Sequence, residues 1–324
     1  MCKKTIAVFS KHSDALISKL SQLIPSLSYI QVQPSDPSSL KDTEIILGDY
    51  DLIGPYIYDL PKIKWIQGTW AGLDSLWSHI KAEDPPKFPI TRTSGDNFGQ
   101  LMGEYVIGNI IFWERNYFQV KQNQEMRLWD PAACPHDHRS LRELTIGILG
   151  IGAIGNIIAQ TLKHFGSIVY GFGRRETLSP TNKHIDKYFT QQSLPELLGS
   201  VDYIVNVLPN TSETQNLLGK RMLKNCKNGK DVVFINIGRG SIIEEFELVE
   251  ALKAKWISGA ILDVFEIEPL PKTSCLWSYS NVFITPHISG NSRVQDVAEK
   301  FKINWERYLR NEPLRNQINF KKGY

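Results

Sequence analysis

Hydrophobic residues near the start of the chain fall in short runs, and the segments between the runs have the spacing of amphipathic helices. Such runs, rich in β-branched residues, are typical of buried strands. The predicted strands cover residues 6–9, 29–32, 45–47, 65–67 and 90–92, and the predicted helices cover residues 14–23 and 73–79. Strands that alternate with helices indicate a parallel α/β sheet.

The later part of the chain repeats the pattern with longer apolar runs. Runs without polar alternation are typical of parallel strands that are covered on both faces, as in a doubly wound sheet. Strands are predicted at residues 146–149, 167–172, 203–208, 232–237, 259–265 and 282–284. Helices are predicted at residues 154–165, 194–198, 220–224, 245–255 and 294–310.

Residues 99–128 lie between these two parts and lack proline. Their apolar positions have near-helical spacing, so we predict one long helix. The segment is unusually rich in aromatic residues, including Tyr105, Phe112, Trp113, Tyr117 and Phe118. This apolar surface is suited either to packing between domains or to a dimer interface.

A glycine triplet, Gly150, Gly152 and Gly155, separates the strand at 146–149 from the helix at 154–165. Within a βαβ unit of about 30 residues, this spacing indicates a dinucleotide site. The first glycine makes a tight turn, the second lets a pyrophosphate approach the backbone, and the third allows close helix–strand packing. The start of the helix, at Ala153 and Ile154, would face the phosphates with its positive dipole end.

Composition narrows the class of protein further. The chain has 324 residues, 42% of them hydrophobic and 22% charged, and a net charge of +3. A charge this small gives no reason to expect nucleic acid or an anionic membrane as a partner. The four cysteines lack metal or disulfide spacing, and we find neither an apolar run of about 18 residues nor a signal peptide, so we expect a cytoplasmic protein.

The two histidines around an aspartate, His136, Asp137 and His138, could ligate a metal. However, they alternate along an irregular loop with no third ligand nearby, which makes a poor metal site. We therefore predict a solvated polar loop and no metal site.

Three polar residues follow three of the predicted strands, namely Arg239, Glu268 and His287. At one edge of a sheet, beside a nicotinamide, they would form a chemically complete set. An imidazolium exchanges a proton near neutral pH, and a neighbouring carboxylate raises its pKa and orients it. A guanidinium binds a carboxylate through two hydrogen bonds and polarises a carbonyl group. Each residue alone also fits an ordinary surface role.

These motifs resemble the D-isomer-specific 2-hydroxyacid dehydrogenase family over nearly the whole chain, and within it the glyoxylate/hydroxypyruvate reductases. The similar segments are WIQGTWAGLD, GILGIGAIG, NVLPNTSETQNLL, INIGRGSIIEEFELVEAL, ILDVFEIEPL, ITPHISG and the ending RNEPLRNQINFKKGY. The resemblance implies a Rossmann-type cofactor domain, residues 99–289, inserted into a flavodoxin-like substrate domain, residues 1–98 plus 290–324. It also implies a homodimer that uses the 99–128 helix, with Trp129 reaching towards the neighbouring active site.

The resemblance further implies roles for single residues. Arg239 would bind the substrate carboxylate and keto oxygen, His287 would donate the proton in reduction, and Glu268 would be its partner. Glu266 stays unassigned. Backbone N–H groups near Ala71 and Gly72 would hold the carboxylate. The nicotinamide half of the cofactor would contact Leu208, Pro209, Thr214, Ile237 and Asp263.

Two positions depart from the family pattern. A dinucleotide unit usually carries an acidic residue about 20 residues past the first glycine, and here Gly173 takes that place, followed by Arg174 and Arg175. Guanidinium groups match a phosphate, so we predict NADP(H) in preference to NAD(H). The alternative is a solvated arginine pair, with Glu176 reaching back to the ribose. Trp70 replaces a commonly small residue and either narrows the pocket or only packs.

The sequence thus predicts an NADPH-dependent reductase that converts small 2-oxo acids to D-2-hydroxy acids. The alternatives are a nucleotide-sensing, corepressor-like binding protein and a short phosphoglycerate dehydrogenase. The sequence does not distinguish glyoxylate, hydroxypyruvate, pyruvate and bulkier 2-oxo acids, because all of them present the same carboxylate and carbonyl groups to Arg239.

Overall fold

The computed structural model describes residues 4–178, 182–226 and 231–320. The chain divides into two compact units. The first is made of Met1–Phe98 and Asn291–Tyr324, and we refer to it as the split unit. The second is Gly99–Gly290, the inserted unit.

Strands and helices alternate through both units. The strands are β1 (Thr5–Phe9), β2 (Ser28–Gln31), β3 (Ile45–Gly48), β4 (Trp65–Gly68), β5 (Ile90–Thr91), β6 (Thr145–Leu149), β7 (Ile168–Phe172), β8 (Lys187–Phe189), β9 (Tyr203–Asn206), β10 (Val233–Asn236), β11 (Gly259–Leu262) and β12 (Val282–Ile284). The α-helices are α1 (Ser13–Leu23), α2 (Tyr50–Ile53), α3 (Asp74–Trp77), α4 (Asp96–Glu114), α5 (Tyr117–Glu125), α6 (Ala153–His164), α7 (Leu194–Leu198), α8 (Glu245–Lys253) and α9 (Val294–Leu309).

The split unit is a parallel sheet in the order β2-β1-β3-β4-β5, the order of flavodoxin-like folds. Apolar side chains cover both of its faces. On one face Trp65 stacks on Phe301 of α9 with ring centroids 5.1 Å apart, and α1 adds Leu16 and Leu20. On the other face, Tyr50 and its neighbours form a second buried cluster. This double coverage explains why its strands are continuous apolar runs.

The inserted unit is a parallel sheet in the order β12-β11-β10-β9-β6-β7-β8. The strand order reverses between β6 and β9, which pair directly. In open α/β sheets, ligands bind at the carboxyl ends of the strands at such a switch point. The two parallel sheets confirm the predicted α/β fold class.

The prediction of one long helix over residues 99–128 is wrong. Helix α4 ends at Glu114, and α5 begins at Tyr117 after Asn116 adopts a left-handed φ of 50°. The turn at Asn116 lets the Phe118 ring pack against Phe112, with ring centroids 4.5 Å apart, and against Phe283 at 5.2 Å. Aromatic packing within the inserted unit therefore uses part of the apolar surface that a straight helix would expose.

Smaller differences occur at weak patterns. Strand β8 has only three residues and an exposed first position, so it lacks a recognisable apolar run. The segment predicted as a helix at residues 220–224 is a 3₁₀ turn, Met222–Asn225, preceded by Arg221 at a left-handed φ of 61°.

The loop that follows α5 is anchored to α4 by a charged cluster. Arg139 Nη2 lies 2.6 Å from Glu114 Oε1, and the Tyr203 hydroxyl donates to the same oxygen at 2.6 Å. His136 and Asp137 of this loop are exposed. No group of three or more potential metal ligands occurs among the described residues. Likewise, none of the described helices has the length and hydrophobicity that a membrane span requires.

Candidate active site

The turn between β6 and α6 has the geometry that a dinucleotide requires. Gly150 has a φ of 111°, a conformation that side chains other than glycine rarely adopt. A Cβ atom at Gly155 would lie 2.0 Å from the Gly150 carbonyl oxygen, so only glycine allows this helix to approach the turn. A Cβ atom at Gly152 would meet nothing within 4 Å, which leaves space above the helix N-terminus. These residues fit a bound pyrophosphate, with Ala153 and Ile154 in the first helical turn.

The segment predicted to select the cofactor follows β7. Gly173 donates its N–H to the Phe189 carbonyl at 3.1 Å, directly after the strand ends. Arg174 and Arg175 are exposed beyond it. Arg174 Nη1 lies 2.9 Å from Glu213 Oε2, a carboxylate on the loop that follows β9. The negative charge beside Arg174 therefore comes from Glu213, a residue that the sequence did not single out.

The residues expected beside the nicotinamide lie on the loops after β9, β10 and β11. Leu208 and Ile237 are buried, and the Thr214 hydroxyl donates to the Pro209 carbonyl at 2.6 Å. Asp263 follows β11 and is fully buried. The structure thus brings the five expected residues to the carboxyl edge of one sheet.

Two asparagines at strand ends hold these loops and were not recognised from sequence. Asn206 Nδ2 donates to Asn236 Oδ1 at 2.9 Å, and Asn206 Oδ1 accepts the Leu208 N–H at 3.1 Å. Asn236 Nδ2 donates to the Arg239 carbonyl at 3.2 Å. The available signal was the asparagine that ends each of the apolar runs YIVN and VFIN.

Arg239 is flanked by glycines for a steric reason. A Cβ atom at Gly238 would lie 2.8 Å from the Leu208 carbonyl oxygen, and one at Gly240 would lie 1.8 Å from the Phe265 carbonyl carbon. The loop after β10 is therefore clamped between the loops after β9 and β11. Arg239 itself is half-buried, and its Nη1 donates to the Gly238 carbonyl at 2.6 Å.

His287 and Glu268 form a hydrogen-bonded pair. Nδ1 of His287 lies 2.7 Å from Oε2 of Glu268, and Oε1 of Glu268 accepts the Phe265 N–H at 2.9 Å. Because a carboxylate only accepts, the imidazole carries a proton on Nδ1. Nε2 is then the ring nitrogen available to exchange a proton with a substrate.

The pKa values of His287 and Glu268 are shifted in opposite directions. The hydrogen bond that His287 donates to Glu268 raises the pKa of His287 above its usual 6.5, against burial and the positive charge of Arg239, which lower it. Burial alone would raise the pKa of Glu268, but the hydrogen bonds from His287 and Phe265 and the charges of His287 and Arg239 lower it below the ordinary value. Glu268 thus favours its ionised form, and His287 keeps its proton to a higher pH than an ordinary histidine.

The loop after β4 in the split unit carries Trp70, Ala71 and Gly72. The Thr93 N–H donates to the Trp70 carbonyl at 3.1 Å, and Arg92 Nη1 donates to the Ala71 carbonyl at 3.3 Å. Trp70 packs against the buried cluster around Tyr50, and Lys11 Nζ lies 5.5 Å from its ring centroid. The ring is therefore fixed in one place.

The NAD binding domain of D-isomer specific 2-hydroxyacid dehydrogenases matches residues 107–289, more than half of the chain. The chain therefore belongs to the D-isomer specific 2-hydroxyacid dehydrogenase family, whose members are NAD(P)-dependent oxidoreductases that act on small molecules.

Among its relatives, glyoxylate/hydroxypyruvate reductase A of Enterobacter sp. (strain 638) is 29% identical over 275 residues, which cover 82% of this chain and 85% of that protein. The crystal structure of a D-isomer specific 2-hydroxyacid dehydrogenase family protein from Aeromonas salmonicida subsp. salmonicida A449 is 32% identical, covers 98% of this chain and 100% of that chain, and has a TM-score of 0.85.

A D-isomer specific 2-hydroxyacid dehydrogenase from Xanthobacter autotrophicus Py2, crystallised in complex with NADPH and MES, is 27% identical. It covers 100% of both chains with a TM-score of 0.84. These similarities confirm the resemblance seen in the sequence. They favour neither the corepressor-like alternative nor phosphoglycerate dehydrogenase.

Proposed function

We propose that this protein is an NADPH-dependent reductase that converts small 2-oxo acids of the glyoxylate/hydroxypyruvate type to D-2-hydroxy acids. The observation that carries the proposal is the His287–Glu268 pair, with its 2.7 Å hydrogen bond and the charge of Arg239 acting on both members. Its curated relatives, the glyoxylate/hydroxypyruvate reductases A, support the substrate class.

Each residue has a distinct role in this proposal. The bound cofactor supplies the hydride that reduces the keto carbon. His287 donates the proton from Nε2 to the carbonyl oxygen, and Glu268 stabilises the protonated ring through Nδ1. Arg239 binds the substrate carboxylate and polarises the carbonyl group. The N–H groups of Ala71 and Gly72 keep the carboxylate-binding role that the resemblance implies.

The domain roles follow the same reasoning. Residues 99–289 would bind the dinucleotide, since they include the glycine turn and the loops after β9, β10 and β11. Residues 1–98 with 290–324 would be the substrate domain.

The scattered free cysteines Cys134, Cys226 and Cys275 accord with a reducing compartment, so the cytoplasm is the proposed location.

The preference for NADPH rests on Arg174 and Arg175, which follow β7 where NAD-binding units usually carry an acid. The Xanthobacter autotrophicus relative with bound NADPH supports this assignment. A hydrogen bond between charged groups contributes about 1.5–3 kcal/mol, so we expect kcat/KM with NADPH to exceed that with NADH by about ten-fold or more.

The substrate and cofactor proposals are tested together by a panel of glyoxylate, hydroxypyruvate, pyruvate and a bulkier 2-oxo acid, each with NADPH and NADH. Turnover is followed by cofactor absorbance. Arg174→Ser combined with Arg175→Ser should remove most of the NADPH preference. Glu213→Gln should increase the NADPH preference, because it removes the carboxylate 2.9 Å from Arg174 that competes with a phosphate. A preference of the wild type for NADH would overturn the cofactor assignment.

A homodimer is the proposed assembly, formed through α4, α5 and the segment after them. Exposed apolar side chains gather on this part of the chain: Tyr117, Val120, Met126, Leu128 and Trp129. Trp129 is 93% exposed, and such exposure of a large apolar ring is unfavourable in water. In the dimer the ring would reach the neighbouring active site. Light scattering should give twice the chain mass, and Val120→Glu with Met126→Lys should give monomers. A monomeric wild type at micromolar concentration would contradict the proposal.

A further inference from the structure

The hydroxyl group of Tyr105, on α4, lies outside every motif that the sequence revealed. Its oxygen is 2.6 Å from Thr285 Oγ1, and Thr285 Oγ1 is 2.6 Å from Asp263 Oδ1. Because the carboxylate only accepts hydrogen bonds, Thr285 gives its proton to Asp263 and accepts one from Tyr105. The three side chains therefore form a directed chain of hydrogen bonds that ends at a fully buried carboxylate.

Asp263 in turn holds His287 and the two residues that follow it. Its carboxylate accepts the N–H groups of Ile288 and Ser289, each at 2.8 Å, and its main-chain carbonyl accepts the His287 N–H at 2.9 Å. His287 has a φ of 55°, in the left-handed region. For a residue other than glycine this costs about 1–3 kcal/mol and persists only where the surroundings enforce it.

We propose that Tyr105 is a positioning residue for His287, acting through Thr285 and Asp263. The role rests on the reductase function proposed above. Helix α4 thereby supports the strained turn after β12, in addition to the hydrogen bond that the imidazole donates to Glu268. Burial raises the pKa of Tyr105 to about 12, so its hydroxyl group remains a neutral donor at neutral pH.

Tyr105→Phe removes the donor and keeps the ring. The Thr285 hydroxyl group then loses its fixed orientation, Asp263 loses support, and the turn that carries His287 relaxes. A displacement of about 1 Å near the reacting atoms can cost up to about a hundred-fold in rate, and we expect kcat to fall by about ten-fold. Affinity for NADPH and KM should change less than about two-fold, since the variant removes no proposed ligand.

The pH dependence separates positioning from general loss of structure. A relaxed turn lengthens the contact of His287 with Glu268, so the pKa of His287 falls towards its ordinary value. The falling limb of the kcat/KM profile for reduction should therefore move to lower pH in Tyr105→Phe.

Tyr203→Phe is the matched control. Its hydroxyl group also makes a 2.6 Å hydrogen bond to a partly buried carboxylate within the inserted unit, that of Glu114, and this bond involves neither Asp263 nor Thr285. This control should reproduce any loss of thermal stability while leaving the kcat/KM profile in place. Equal kinetic effects in the two variants would overturn the proposal.

A double-variant cycle tests the route. If Tyr105 acts through Thr285, Tyr105→Phe should have almost no further effect on kcat in a Thr285→Val background. Additive losses would refute this route.

Failure of the reductase function and failure of the positioning role of Tyr105 give different experimental results. A wild type without turnover on any 2-oxo acid would overturn the reductase function, and the positioning role would then be measured by NMR titration of the His287 ring. A lower His287 pKa in Tyr105→Phe than in wild type and Tyr203→Phe would support that role, and an unchanged value in all three would refute it.

Discussion

The carboxyl edges of the two sheets are stabilised in different ways. In the inserted unit, polar side chains at or just after the strand ends hold the loops that carry ionisable groups. Asn236 donates to the Arg239 carbonyl, and Asp263 accepts the N–H groups of His287 and of Ile288, the residue that follows it. In the split unit, the loop after β4 is held by its own carbonyl groups, through Arg92 and Thr93.

In the function proposed above, the two edges would contribute to the reaction in different ways. The first edge holds His287, whose pKa is raised, so substitutions there should change kcat and the pH profile. The second edge fixes a main-chain segment that has no titratable group of its own, so its substitution should act mainly on KM.

The largest effect is expected for His287→Asn, since asparagine accepts the left-handed φ of 55° but has no imidazole to donate the proton. General acid catalysis contributes about 10²–10⁴-fold, and kcat should fall by that factor while NADPH affinity is retained. His138→Asn, on the loop after α5, is the control and should leave turnover unchanged. Normal turnover in His287→Asn would remove the proton-donor role and, with it, the contrast between the edges.

A smaller effect is expected for Glu268→Gln. Glu268 raises the pKa of His287. In the proposed mechanism protonated His287 is the active form in reduction, so kcat/KM should be high below this pKa and fall as pH rises through it. Without the carboxylate the pKa drops, the falling limb moves to lower pH, and kcat/KM at neutral pH falls by about ten-fold. Glu266→Gln, two residues earlier, is the control. An unmoved limb in Glu268→Gln would show that this pair does not set the profile.

The smallest effect is expected at the split unit's edge. Lys11 is held by Asp51 at 2.7 Å and lies over the Trp70 ring. A cation–π contact of this kind contributes about 0.5–1 kcal/mol, so Lys11→Met should raise KM for the 2-oxo acid by about two- to five-fold at constant kcat. Lys81→Met removes a similar contact with Tyr58, 4.8 Å away, and should have no effect on kinetics. A change in kcat alone would contradict the assignment of this edge to substrate binding.

Much of the fold was accessible from the sequence because parallel strands are continuous apolar runs. Strands β9, β10 and β11 are buried at every position, and the periodicity located each of them. The glycine turn and the polar residues after the strands were also recognisable, since their spacing is local. The His287–Glu268 contact followed from the rule that parallel strands share one carboxyl edge.

The parts that were missed depend on single backbone angles or on distant contacts. Apolar spacing carries no information on the left-handed conformation of Asn116, and this one residue divided the predicted helix. The hydrogen bond of Tyr105 joins residues 180 positions apart, and that of Glu213 with Arg174 joins residues 39 positions apart. Only the folded sheet brings such pairs together.

The glycines on either side of Arg239 have a consequence for protein engineering. Because the neighbouring loops occupy the space of a Cβ atom added at Gly238 or Gly240, a library that randomises this loop should return few folded variants at either glycine, and at Arg239 it would replace the proposed substrate ligand. Attempts to evolve a new substrate range would gain little there. Diversity is better directed to Trp70, whose ring packs against the buried cluster and Lys11 and which directly precedes Ala71 and Gly72, the residues proposed to hold the substrate carboxylate.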